Sequence, residues 1–168
     1  RTLFTQVYSR GKAITKLKDA GAVQNRRGTT IRFKPDPEIF AKQTFRPERL
    51  YRFCRSKAYL YRGVEIRWAC DPALIKDETP PQAVLHFPGG LSDFLTAALE
   101  GRPTVVPAAW SGEAEFPEGA GRVEWAASWV ERGDGFLHTY ANTIPTPQGG
   151  THEAGFRAAL TRGLKAYA

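Results

Sequence analysis

The chain has 168 residues, of which 42% are hydrophobic and 24% charged, and its net charge is +7. This balance excludes a disordered chain and a fibre, and no apolar run approaches the ~18 residues of a membrane-spanning helix. The two cysteines, Cys54 and Cys70, are too few for a disulfide scaffold and lack the C-x-x-C spacing of zinc and redox motifs. Because the sequence starts at Arg1 and contains no methionine, we expect a segment of a longer protein.

The first half of the chain predicts short strands and two helices. Alternation of β-branched residues favours a strand from Thr29 to Phe33, which Pro35 ends. An apolar stripe at helical spacing predicts the longer helix, and Pro37 suits the first position of the shorter one. The predicted elements are, in chain order, a strand at 3–9 with which 13–19 can pair, a strand at 29–33, a helix start at 36–37, a helix at 47–60 and a strand at 64–68.

The second half predicts further hairpins and two helices. Pro88-Gly89-Gly90 is the clearest breaker, and it divides the chain into residues 1–87 and 88–168. The whole pattern indicates an α+β fold. The predicted elements are a strand at 84–87, a helix at 91–99, a surface excursion at 101–121, two strands at 122–130 and 136–142 that pair with each other, and a helix from 151 to the end.

Positive charge is concentrated in the first part of the sequence. Residues 1–68 hold 17 Lys and Arg against 5 acids, whereas residues 69–168 hold 7 against 12. Such a one-sided distribution fits a polyanion partner or a solvated surface whose counter-charge lies elsewhere. Arginines at every third position of the 47–60 helix are candidate DNA contacts, and the alternative is a solvated face paired with acids such as Glu48. These arginines are Arg49, Arg52 and Arg55.

Gly149-Gly150-Thr151-His152 leads directly into the last predicted helix. Thr151 can cap the free amides of the first turn, and the glycines would let an anion approach them. A glycine turn with an N-cap and an anion site therefore both remain open. His86, His138 and His152 have no metal-ligand spacing, and the sequence shows no complete catalytic site.

Three segments carry a family resemblance. They are GTTIRFKPDPEIF (28–40), RSKAYLYRGVEIRW (55–68) and NTIPTPQ followed by GGTHEAGFRAALTRGLKAY (142–167). Together they resemble the B subunits of bacterial type II DNA topoisomerases, and IPTPQGGTH and RSKAYL are closer to the topoisomerase IV branch than to the gyrase branch. The resemblance covers nearly the whole chain.

The resemblance implies a fold and an activity. Residues 1–87 would be the C-terminal part of a GHKL-type ATPase domain, a mixed sheet with helices. Residues 88–168 would begin a transducer domain with a ribosomal-S5-domain-2-like fold. The intact protein would be an ATP-dependent isomerase that passes one DNA duplex through another, relaxing and decatenating DNA. The alternatives are a gyrase B subunit, which would introduce negative supercoils, and a free-standing nucleic-acid-binding module.

The resemblance also implies roles for three residues. Thr29 would lie at the floor of the ATP pocket, where its hydroxyl joins a water network around the adenine that aminocoumarin inhibitors also use. Ile31 would line the same pocket. Arg157 would face the cavity between two transducers that receives the transported DNA. No catalytic residue and no metal ligand is expected within these 168 residues, so we expect the chain alone to be inactive.

The intact protein would use ATP and Mg²⁺, whose main ligands would lie outside this sequence. Its partners would be double-stranded DNA and the A subunit of the topoisomerase, in an A2B2 heterotetramer whose B subunits dimerise when ATP binds. No membrane partner is expected. The resemblance implies a cytoplasmic, nucleoid-associated protein.

Overall fold

The computed structural model describes residues 1–41 and 44–168. The chain divides into two compact units, residues 1–45 and 46–168. The α+β class is confirmed, since helices and antiparallel strand pairs occur together. Within the described ranges, no helix is long and apolar enough to cross a membrane.

The described residues of the first unit, 1–41 and 44–45, contain four strands and one short helix. The outer strands pair with each other, and the inner two form a tight hairpin around Arg10 and Gly11. Both turn residues have positive φ (50° and 78°), as a two-residue hairpin turn requires. The predicted hairpin is therefore present, but the strand paired with the first lies at 18–22 rather than 13–19. The elements are β1 (Thr2–Thr5), β2 (Tyr8–Ser9), β3 (Lys12–Ala13), β4 (Lys18–Ala22) and α1 (Pro37–Phe40).

The strand predicted at residues 29–33 is wrong for this structure. The segment is irregular, and Ile31 and Phe33 are 81% and 71% exposed. β-branched residues stabilise a strand by packing against neighbours in a sheet. Among the described residues, no strand lies hydrogen-bonded beside this segment, so its pattern has nothing to pair with.

The second unit contains three helices and six strands. The helices predicted at 47–60, at 91–99 and from 151 onward are confirmed to within a residue or two. A short 3-10 turn at Pro72–Leu74 lies between the strands predicted at 64–68 and 84–87. The elements are α2 (Pro47–Leu60), β5 (Glu65–Ala69), β6 (Gln82–His86), α3 (Leu91–Ala98), β7 (Trp110–Glu115), β8 (Arg122–Ala127), β9 (Tyr140–Ala141), β10 (Ile144–Pro145) and α4 (Thr151–Tyr167).

Two strand pairings differ from the prediction. The expected surface excursion at 101–121 contains β7, which pairs with β8 from Trp110↔Ala127 to Glu115↔Arg122. In β7, apolar or small residues (Trp, Gly, Ala) alternate with polar ones (Ser, Glu, Glu), as in a strand with one face toward the protein interior. The pattern is weak because Gly and Ala are too small to give a clear apolar signal. The segment 136–142 does not pair with β8, because only β9 is a strand there and it turns back onto β10.

The core of the second unit is centred on Tyr59. Ala58, Tyr59 and Leu85 are the buried apolar residues. The Tyr59 ring stacks on Phe94, with centroids 4.0 Å apart, and meets Tyr140 edge-on. This centre joins α2, β6, α3 and the β9–β10 hairpin within one compact unit. The division at 87/88 stays a prediction.

A matched pair of glycine substitutions tests the packing of β7. We expect Gly112→Ala to lower the free energy of unfolding by about 1–3 kcal/mol, because an added Cβ would lie 2.6 Å from Cζ2 of Trp125. Gly163→Ala in α4 should instead raise it by about 0.5–1 kcal/mol, since nothing lies within 4 Å and alanine favours helix. Urea denaturation followed by tryptophan fluorescence measures both. A Gly112→Ala protein as stable as the parent would contradict the close Trp125 contact.

Candidate functional site

Thr29 and Ile31 lie on the exposed, irregular segment that precedes α1. The far end of this segment is fixed by charged side chains. The Asp36 carboxylate caps α1 by accepting from the N–H of Glu38 at 2.9 Å. Arg10, in the β2–β3 turn, donates to Asp36 and Glu38, at 2.6 Å each. The hairpin therefore holds the start of α1, while Thr29 and Ile31 stay open to solvent.

The cap of α1 makes a testable pH prediction. The N–H of Glu38, and then the Arg10 guanidinium, hold the pKa of Asp36 below its ordinary value of 3.8. Because the folded pKa is lower than the unfolded one, the stabilisation is present above pH ~4 and is lost as pH falls through the folded pKa. We expect Arg10→Gln to raise the pKa of Asp36 only partway, since the amide hydrogen bond remains. A carboxyl ¹³C NMR titration measures this, and a parent pKa at or above 3.8 would contradict it.

The three candidate arginines of α2 lie in different surroundings. Arg49 is exposed, and Arg52 is exposed but paired with Glu48 one turn earlier. Arg55 is half-buried, with its guanidinium 5.3 Å from the centre of the Phe94 ring. Arg49 and Arg52 can therefore reach a polyanion, whereas Arg55 takes part in packing. DNA contact by these arginines stays a prediction.

The GGTH sequence forms a tight turn into α4. Gly149 has φ 74° and donates its N–H to the carbonyl of Thr146 at 2.9 Å. Gly150 is the cap residue, and Thr151 already belongs to the helix, so the expected threonine cap is wrong. A side chain on Gly150 would place its Cβ 2.7 Å from the His152 ring. Gly150 thus allows the close approach of that ring, whereas a Cβ on Gly149 would lie 2.9 Å from Oε2 of Glu153.

His152 ends a chain of side-chain hydrogen bonds that the sequence did not reveal. The Thr139 and Thr146 hydroxyls lie 2.7 Å apart, and the Thr146 hydroxyl lies 3.1 Å from Nε2 of His152. These residues meet because the β9–β10 hairpin brings 139 beside 146. His152 therefore links the start of α4 to the β9–β10 hairpin. Among the described residues, no group of three His, Cys, Asp or Glu could hold a metal ion.

Arg157 lies on α4, one turn after Glu153. Its Nε donates to Oε1 of Glu153 at 2.9 Å, and its side chain remains 64% exposed. The two residues border a shallow cleft of about 410 Å³. Arg157 therefore presents part of its guanidinium to solvent, while Glu153 fixes the direction of the side chain. The cleft is lined by Pro147, Gln148, Gly149, Gly150, Glu153, Ala154 and Arg157.

Comparison with known proteins shows which proteins the chain resembles. The DNA gyrase B family model matches residues 90–168. The B subunit of DNA topoisomerase 4 from Caulobacter vibrioides is 55% identical over 97% of this chain, which covers 24% of that protein. The corresponding protein of Bartonella bacilliformis is 48% identical over 100% of the chain and 25% of its own length.

A solved structure agrees with these sequences. It is the crystal structure of the 43K ATPase domain of Thermus thermophilus gyrase B in complex with an aminocoumarin. It matches with a TM-score of 0.78 and 29% identity over 98% of this chain and 43% of that one. The chain spans about a quarter of the length of the curated relatives it matches. Over nearly its whole length, the chain is thus similar to part of the B subunits of bacterial type II DNA topoisomerases.

Proposed function

We propose that the complete protein carrying this chain is the B subunit of a topoisomerase IV. It would use ATP to pass one DNA duplex through another. The observation that carries the proposal is the 55% identity to the B subunit of a DNA topoisomerase 4 over 97% of the chain. The gyrase B structure matches at 29% identity, which favours the topoisomerase IV branch over gyrase.

In this proposal the first unit contributes to the ATP pocket through Thr29 and Ile31. An apolar side chain beside a hydroxyl fits a purine base, which offers a flat apolar face and a hydrogen-bonding edge. Both side chains are exposed and so available to a ligand. ATP would supply the free energy that drives the conformational cycle of the protein. In the complete protein, Mg²⁺ would be held mainly by residues outside these 168.

The second unit would face DNA through Arg157. An exposed cation held in place by Glu153 fits a surface along which a phosphate backbone passes. The complete assembly would contain two B subunits, which associate when ATP binds, and two A subunits, which cut the DNA. It would lie with the nucleoid in the cytoplasm. The chain on its own is expected to hydrolyse no ATP.

The test combines the complete protein with interlinked DNA circles and its A subunit. We expect ATP-dependent separation of the circles and relaxation of supercoiled DNA, with no net negative supercoiling of relaxed DNA. Negative supercoiling would instead assign the protein to the gyrase branch. No change of DNA topology with ATP and Mg²⁺ present would contradict both assignments.

A nucleic-acid-binding module remains the second candidate, because Arg49 and Arg52 are exposed and belong to the basic first part of the sequence, residues 1–68. It predicts that this chain alone binds duplex DNA, with log affinity falling linearly as log salt rises. Fluorescence anisotropy at low and high salt measures this. Absence of binding at low salt would eliminate the candidate.

A further inference from the structure

A lysine of α2 holds the tip of the β9–β10 hairpin. Nζ of Lys57 donates to the backbone carbonyl of Thr143 at 2.7 Å and to its hydroxyl at 2.9 Å. The Tyr61 hydroxyl lies 3.4 Å from the same threonine hydroxyl. One residue of the turn therefore receives three polar contacts from α2 and the residue that follows it.

The turn has a backbone conformation that its sequence disfavours. Asn142 and Thr143 have φ of 49° and 67°, so both are left-handed, as a type I′ turn requires. Asparagine tolerates this region, but a β-branched threonine in it is a true outlier that its surroundings must maintain. Glycine is the usual residue at this position. The bonds from Lys57 supply support that the turn itself lacks.

The hairpin in turn sets the start of α4. The N–H of Thr146 donates to the carbonyl of Thr139 at 2.9 Å, which closes the hairpin. The same two residues begin the hydroxyl chain that ends at His152 in the first turn of α4. Displacement of the hairpin would therefore displace the turn that leads to Arg157.

A second contact anchors the hairpin at its other end. The hydroxyls of Tyr59 and Tyr140 are hydrogen-bonded, and the Tyr59 ring is held in the core. Further along, Arg62 pairs with Glu124 of β8 at 2.7 Å. Residues 57–62 thus contact the second half of the chain at several points, but only Lys57 contacts the strained residue twice.

We propose that Lys57 is a positioning residue that fixes the Asn142–Thr143 turn against α2 and thereby sets the start of α4. Its consequence for the enzyme rests on the proposed function. Lys57 lies in the part predicted to belong to the ATPase domain, and the hairpin lies in the predicted transducer. Loss of this contact would leave ATP turnover intact but weaken its coupling to DNA passage.

The experiment uses hydrogen–deuterium exchange to compare variants of the complete B subunit. Lys57→Met keeps an unbranched side chain but removes all three donors, together with the ammonium that lies 5.2 Å from the centre of the Phe53 ring. The matched control is Lys76→Met, at an exposed lysine in the loop between β5 and β6. The reporters are the amides of Thr146 and Gly149, whose acceptors lie within the hairpin and the following turn.

We expect Lys57→Met to speed exchange of these amides about tenfold, with α3 unchanged. Adding Thr143→Gly should restore protection, because glycine adopts the turn without strain. The proposal is overturned if Lys57→Met leaves these amides unchanged, if Lys76→Met or α3 shows the same acceleration, or if Thr143→Gly fails to restore protection.

The enzymatic readout is the number of DNA passages per ATP hydrolysed, measured with the A subunit. Lys57→Met should lower this ratio about fivefold or more while ATP turnover changes less than about twofold. An unchanged number of DNA passages per ATP would overturn the proposal that the Lys57 contact couples ATP turnover to DNA passage. If the parent protein itself passed no DNA, the proposed function would fail, but the exchange result would still decide whether Lys57 positions the hairpin.

Discussion

Replacing Tyr59 by alanine is expected to lower the free energy of unfolding of the second unit by about 3–5 kcal/mol. Tyr59 is 3% exposed, and its ring contacts Phe87, Phe94 and Tyr140. The substitution would leave a cavity where α2, α3 and the β9–β10 hairpin meet. Urea denaturation followed by tryptophan fluorescence reports on this unit alone, because all four tryptophans lie within residues 46–168.

Two further tyrosine variants separate ring packing from the hydroxyl contact. Tyr61→Ala should cost less than about 1 kcal/mol, since that side chain is 50% exposed. Tyr59→Phe should cost about 1–3 kcal/mol, because it keeps the ring but leaves the part-buried Tyr140 hydroxyl without its partner. Equal losses for Tyr59→Ala and Tyr61→Ala would show that Tyr59 is not the centre of the core.

The helices could be predicted from sequence because their signals are local. α2 begins with Pro47 at its first position, carries an apolar stripe and ends before Gly63. α3 and α4 each begin directly after a glycine, Gly90 or Gly150, whose backbone is not helical. Such signals lie within a few residues of the boundary that they set, so no knowledge of the tertiary structure is needed.

Strand pairing could not be predicted in the same way. The strand β7 has a weak pattern, because Gly112 makes room for Trp125 rather than adding a side chain of its own. The segment 29–33 has a strong pattern but no neighbouring strand among the described residues. A strand depends on its partner, and the partner is not encoded in the strand's own sequence.

Contacts within the candidate site that join distant parts of the sequence could not be predicted either. The resemblance implied roles for Thr29, Ile31 and Arg157, which stay predictions, but no sequence pattern indicated that Lys57 would meet a residue 86 positions away. That contact depends on the tyrosine core, which brings α2 to the hairpin. The chain from Thr139 to His152 likewise exists only once the hairpin has closed. Contacts of this kind follow from register and packing, which the sequence does not display.

Reversing the charge of Arg157 is expected to reduce DNA passage by the complete enzyme about tenfold or more. In the proposed function this guanidinium faces the transported duplex, and a carboxylate there would repel the phosphate backbone. Arg157→Glu also replaces the ion pair with Glu153, whose side chain is 21% exposed, by a like-charge pair one turn apart. Such pairs on a helix cost only about 0.5 kcal/mol, so α4 should remain folded. The assay is decatenation of interlinked circles in the presence of the A subunit.

The control is Arg162→Glu on the same helix, which changes the charge equally. Five residues further on, Arg162 points about 140° away around the helix and so lies off the face that carries Arg157. It should retain most of the DNA passage, and ATP hydrolysis without DNA should stay within about twofold of the parent in both variants. The parent rate should also fall more steeply with added salt than that of Arg157→Glu, because one phosphate contact has been removed. Equal losses from both substitutions would assign the effect to net charge and contradict a specific role for Arg157.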